Sequence, residues 1–214
     1  SGNVPPPGGR RPLADVRLRL TAGPGSGLER LPAPAPDLQA RLDALFPDRD
    51  ESYSVALLDI TDGRSLRYAA RQPQRTFSPG SVGKIAIVSG LFAELARRFP
   101  TDFEARRRLL RERVVIADEW IGKDRHPVPF FALADSAFES RPARIGDAFS
   151  LFEWTDHMMS ASANSAASTV WKEVMLMRAF GDAYPPSLEA EAAFFRDTPK
   201  GRLQELSLSV VNGP

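Results

Sequence analysis

At 214 residues the chain is long enough to bury one sizeable core or two small ones. Lys and Arg number 28 against 27 Asp and Glu, a formal net charge of +1 that provides no global basic field for nucleic acid or an anionic membrane. Cysteine is absent, which excludes disulfides, thiolate metal sites and cysteine nucleophiles. The two histidines, His126 and His157, stand too far apart in sequence to suggest zinc, and no apolar run approaches a membrane span. No metal, cofactor, nucleic-acid partner or transmembrane segment is therefore expected.

Residues 1–36 carry Pro5-Pro6-Pro7-Gly8-Gly9, Gly23-Pro24-Gly25-Ser26-Gly27 and Pro32-Ala33-Pro34-Ala35-Pro36. Such a composition buries too little apolar surface to offset chain entropy, and it reads as a leader or tether. Within it Val16, Leu18 and Leu20 alternate with Arg17 and Arg19, a strand-like pattern suited to a sheet edge.

From Asp37 a helix is expected with Leu38, Leu42, Leu45 and Phe46 on one face, stopped by Pro47. Tyr53–Ile60 reads as a strand, turned back by Asp62-Gly63 into a second strand over Ser65–Ala69. Helix and hairpin occupy 37–80, and 81–200 is mainly helical, which indicates an α+β domain over 37–214.

Pro79 and Gly80 interrupt any upstream element, so a helix is expected from Ser81 to about Phe99, where Pro100 stops it. Ile85, Val88, Leu91, Phe92 and Leu95 repeat at helical spacing, and Ala86 and Ile87 widen the stripe until the helix is expected to be buried nearly all round. Ser81 and Lys84 share one face of its first turn. A serine hydroxyl needs a neighbouring base to attack a carbonyl, and an amine withdrawn from water can serve as one. The N–H of Ser81, in that first turn, is a candidate donor to the oxyanion. Lysine occurs only at Lys84, Lys123, Lys172 and Lys200, so one at the start of an apolar helix stands out.

Thr101 to about Val115 is a basic helical stretch with Arg106-Arg107-Arg108, Arg111 and Arg113, read as a solvated face. Asp118–Pro142 mixes aromatics and prolines without periodicity and is expected to be packed irregular structure. Ser150 with Glu153 forms a capping box before a helix carrying Leu151, Trp154 and Met158. The small polar run Met158–Ser168 is a helix–loop–helix junction, after which Val170, Val174 and Met177 resume helical spacing to Gly181. Asn164 lies in that junction, either as an N-cap for the following helix or as a functional amide, and both roles are compatible. A turn at Tyr184-Pro185-Pro186-Ser187 and a short helix over Leu188–Phe195 follow; then Leu206, Leu208 and Val210 alternate with Ser207 and Ser209.

Ser81-Val82-Gly83-Lys84 resembles the Ser-x-x-Lys motif of the penicillin-recognising serine hydrolases, the class A-like β-lactamases and related D,D-peptidases and transpeptidases. Ser162-Ala163-Asn164 resembles their second motif, Ser-Asp-Asn or Ser-x-Asn, and the likeness covers about Tyr53 to Ala167. It implies a β-lactamase/transpeptidase-like fold, an antiparallel sheet flanked by helices plus a helical subdomain. It also implies Ser81 as the acylated nucleophile, Lys84 as its base or proton relay, Ser162 as proton donor to the leaving nitrogen, and Asn164 holding Lys84 and the substrate amide. The substrates implied are β-lactams or peptidoglycan-type peptides, and the compartment periplasmic or extracellular, with the leader as a possible tether. A third motif, Lys-Thr/Ser-Gly, does not occur; Lys200-Gly201 lacks the hydroxyl residue. Its strand is expected after Pro214, in a C-terminal part of the same domain that would complete the site as a partner. Glu205 is the candidate deacylating base, with Ser209 where the family's Glu-x-x-x-Asn element has Asn. Two other readings stand beside this one, an esterase or amidase on the same scaffold and a non-catalytic sensor or wall-binding module.

Overall fold

The computed structural model describes residues 31–47, 52–60, 66–132 and 137–212, and the chain divides into two units between Phe77 and Ser78. The strand-like Val16–Leu20 stretch and the Asp62-Gly63 turn lie outside the described residues.

In the first unit α1 spans Pro36–Asp43, with a proline in its first turn where no N–H is needed, and buries Leu42. Strand β1, Val55–Asp59, pairs antiparallel with β2, Arg67–Arg71, so that Leu57 faces Ala69. The second strand thus lies two residues later than Ser65–Ala69. Gln39 ties α1 to β2 through both amide atoms, accepting from Ala70 N–H at 3.0 Å and donating to its carbonyl at 3.1 Å.

The second unit begins with a 3-10 turn over Gly80–Gly83, and α2 follows as Lys84–Arg98. The helix expected from Ser81 therefore has Ser81 in a tighter entry turn, made possible by Gly80 at φ +51°. The expectation of all-round burial does not hold. Ile87, Leu91 and Leu95 form a buried stripe, whereas Ile85 and Phe92 are exposed, because α4, α5 and α7 pack on one side of α2. Helix α3, Phe103–Glu112, is shorter than the stretch read from sequence, since Val114–Ile116 leaves it as β3. Asp102 caps α3, accepting from Ala105 N–H at 2.8 Å.

Asp118–Pro142 is not irregular throughout. It holds a 3-10 turn, Glu119–Ile121, and an antiparallel pair of β4, Val128–Ala132, with β5, Ala137–Arg141, in which Phe130 faces Glu139. Pro127 and Pro129 argue against a central strand, but in a two-stranded ribbon both strands are edges and a missing N–H is tolerated. Strand β6, Ala148–Ser150, pairs with β3, so the described strands form three separate two-stranded antiparallel ladders.

Ser150 and Glu153 make the capping box of α4, Leu151–Ser160, with Ser150 N–H donating to Glu153 Oε2 at 2.8 Å. Helix α5, Asn164–Phe180, supplies Val170, Val174 and Leu176 to a core that also holds Leu91, Leu95, Leu151 and Trp154. Helix α6 is Leu188–Asp197 and α7 is Lys200–Asn212. The alternating Leu206–Val210 run is thus helical, because Leu203, Leu206 and Val210 also satisfy a 3.6-residue period and face inward, leaving Leu208 exposed. Helix α7 crosses α2 so closely that a Cβ at Gly90 would lie 2.3 Å from the Val210 carbonyl oxygen. The fold is α+β, with seven α-helices among the described residues.

Candidate active site

Four oxygens converge on one lysine. Lys84, only 7% exposed at the start of α2, directs Nζ to Ser81 Oγ at 3.2 Å, the Ser162 carbonyl at 2.8 Å, Ser162 Oγ at 3.2 Å and Asn164 Oδ1 at 2.7 Å. Ser81 and Lys84 meet because one helical turn separates them. Ser162 and Asn164 are brought from nearly eighty residues away by the packing of α4 and α5 on α2.

The turn between α4 and α5 is shaped by Ser162, which adopts the left-handed region at φ +56°. Such a backbone is uncommon for a non-glycine residue and ends α4 abruptly, with Ala163 N–H returning to the His157 carbonyl at 3.1 Å. In this conformation both the carbonyl and the hydroxyl of Ser162 reach the same amine. Asn164 is the first residue of α5 and is not its cap, a position taken by Ala163, which has no capping side chain. The amide oxygen of Asn164 is committed to Lys84 instead.

The donors and acceptors constrain the chemistry. The Ser162 carbonyl and Asn164 Oδ1 can only accept, and they are the two nearest oxygens. A neutral amine placed here gives its two N–H bonds to them and points its lone pair toward the hydroxyls of Ser81 and Ser162. A protonated one has a third N–H, which either hydroxyl can accept. The cluster can therefore take a proton from Ser81 and return it through Ser162 without moving a heavy atom far.

A residue that the motifs did not include holds the second motif in place. Asp124, with a side chain 2% exposed, accepts from Ser165 N–H at 2.8 Å and Ser165 Oγ at 2.9 Å. Its other oxygen contacts His126 Nδ1 at 2.7 Å. Burial pushes the Asp124 carboxyl up, but the bonds from Ser165 and His126 outweigh it and hold the group well below the usual carboxylate range. The carboxylate also sits at the N-terminus of α5, where the helix dipole favours negative charge. In sequence Asp124 shows only a local turn, with His126 N–H donating to it at 3.1 Å.

Ser81, Lys84 and Asn164 line a cleft of about 480 Å³, within the size range of small-ligand sites. Ala86, Ile87, Ala167, Trp171 and Val211 make the rest of its wall largely apolar. Glu205 is not brought to this cleft. Its side chain, 70% exposed on α7, pairs with Arg202 at 3.0 Å. His157 is buried against Phe149, ring centroids 4.7 Å apart, and burial pushes its pKa down. Among the described residues no group of three His, Cys, Asp or Glu side chains could hold a metal ion, and no helix is long and apolar enough to cross a membrane. No protein-family model, curated protein or solved structure matches the chain.

Proposed function

We propose that the chain carries the acylation centre of a serine hydrolase of the penicillin-recognising type, acting on β-lactams or peptidoglycan-type peptides in an exported compartment. Ser81 Oγ attacks the substrate carbonyl as Lys84 takes its proton, and the ring or peptide C–N bond breaks. Ser162 returns a proton to the leaving nitrogen, and an ester to Ser81 remains. The observation that carries this is the approach of Lys84 Nζ to both hydroxyls at 3.2 Å while two pure acceptors hold its remaining N–H bonds. Incubation of the full-length protein with a fluorescent penicillin, followed by intact mass and peptide mapping, tests it. One covalent adduct on Ser81, lost in Ser81→Ala, is expected; no adduct, or one that persists in Ser81→Ala, removes the proposal.

One observation favours slow release of the acyl group. No Asp or Glu is among the described residues lining the cleft, and Glu205 faces solvent, so among the described residues no carboxylate lines the cleft to activate water. An adduct that outlasts its formation by orders of magnitude suits a sensor or binding module built on this scaffold. Following loss of the labelled species over time separates that behaviour from efficient turnover.

A further inference from the structure

The cleft extends beyond the groups that do the chemistry. Asn164, Ala167 and Trp171 stand at i, i+3 and i+7 on α5, one face of the helix, and cover about 10 Å of its axis at the helical rise per residue. Ile87 lies one turn into α2 from Lys84 on the same wall, and Val211 of α7 borders the same cavity. The polar cluster therefore occupies one end of a trough whose continuation is mostly apolar, the exception being Ser168, whose hydroxyl donates to the Asn164 carbonyl at 3.1 Å. Trp171 is held in place there, because its Nε1–H donates to the Ser207 carbonyl of α7 at 3.1 Å. The seat of α7 is set in turn by the close crossing at Gly90 and Val210.

Ser162, the hydroxyl available to a leaving group, does not line this trough. A substrate attacked at Ser81 thus has its leaving group directed toward Ser162 and its acyl portion along the helices. We propose that the trough between α2, α5 and α7 receives the acyl group of the substrate, and that the preferred donors are esters or amides of an apolar acyl chain. This rests on the assignment of Ser81 as the acylated residue. With an ester donor, the Ser81 proton passes to Lys84 and on to the departing alkoxide, the carbonyl–alkoxide bond breaks, and the apolar acyl ester to Ser81 forms. Burial of each added methylene out of water favours the longer chain.

The full chain is to be tested with p-nitrophenyl acetate, butyrate and octanoate. The burst of nitrophenolate gives the acylation rate, intact mass identifies the acyl adduct, and Ser81→Ala supplies the background to subtract. Acylation by octanoate is expected to exceed that by acetate by roughly tenfold or more. In Val211→Trp, which fills part of the trough, that ratio is expected to fall toward one, with far-UV circular dichroism checking that the variant is folded. The wild-type chain-length series decides the matter even if that variant does not fold. Equal acylation by the three esters, or faster acylation by acetate, overturns the trough assignment and leaves Ser81 as the nucleophile. Absence of any adduct on Ser81 from these esters and from penicillin overturns both.

Discussion

Lys84 Nζ and Asn164 Oδ1 lie 2.7 Å apart across eighty residues of sequence, joining the first residue of α2 to the first residue of α5. That bond unites the two motifs into one site, and Lys84 is its hub. Lys84→Ala removes the only amine within reach of Ser81 Oγ among the described residues. Labelling of Ser81 by a fluorescent penicillin is expected to slow by about 10²–10⁴, the usual worth of a general base. A labelling rate within a few-fold of wild type would show that another group activates the serine.

Asp124 makes part of the stability depend on acid. Its folded-state carboxyl is held below the ordinary value near 4, so its contribution is present above that value and is lost as pH falls through the folded one. Asp124→Asn is expected to lower the melting temperature at neutral pH and to weaken the dependence of melting on pH below about 4. Ser165 loses its anionic acceptor in the variant, and labelling of Ser81 is expected to slow with it. Parallel melting curves for the two proteins across acidic pH would contradict this.

Two glycines on packed helices are expected to respond in opposite directions to alanine. At Gly90 the new Cβ meets a backbone oxygen of α7 at 2.3 Å, which only a shift of the helix relieves. Overpacking of this kind costs about 1–3 kcal/mol, more than the roughly 1 kcal/mol of helix propensity gained. At Gly201 nothing lies within 4 Å, so only the propensity gain remains. Chemical denaturation of the two variants is expected to show loss for Gly90→Ala and a gain of up to about 1 kcal/mol for Gly201→Ala.

A buried ion pair joins the end of α3 to α5. Glu173, fully buried, accepts from Arg113 at 3.1 and 3.2 Å and from the Tyr184 hydroxyl. Burial raises the pKa of Tyr184, and the Glu173 carboxylate raises it further, so the phenol remains a donor throughout the physiological range. Glu173→Ala strands the guanidinium and is expected to cost about 3–5 kcal/mol. Tyr184→Phe, which removes one bond to a charged group, is expected to cost about 1.5–3 kcal/mol. Equal losses in the two variants by urea unfolding would show that the ion pair contributes little beyond the tyrosine.

Features governed by a few consecutive residues were legible in the sequence. The box at Ser150 and Glu153, the interruption at Pro79-Gly80, and the placing of Ser81 beside Lys84 follow from caps, backbone restriction and helical period. Where two periods fit the same residues, local pattern was insufficient. Leu206–Val210 alternates like a strand yet folds as helix α7, and it carries Glu205 away from the cleft into solvent. Proline obscured β4, whose ribbon has only edge strands.

By itself the sequence determined that Ser81 and Lys84 stand side by side and that Ser150 and Glu153 cap α4, because those properties arise within one turn of chain. Only the tertiary structure decided that Ser162 and Asn164 close on Lys84, that Asp124 anchors Ser165, and that the cleft runs on into an apolar trough. These pairings join residues forty to eighty positions apart, and burying the faces of α2, α4 and α5 against one another selects them. No spacing rule along the chain encodes such a juxtaposition.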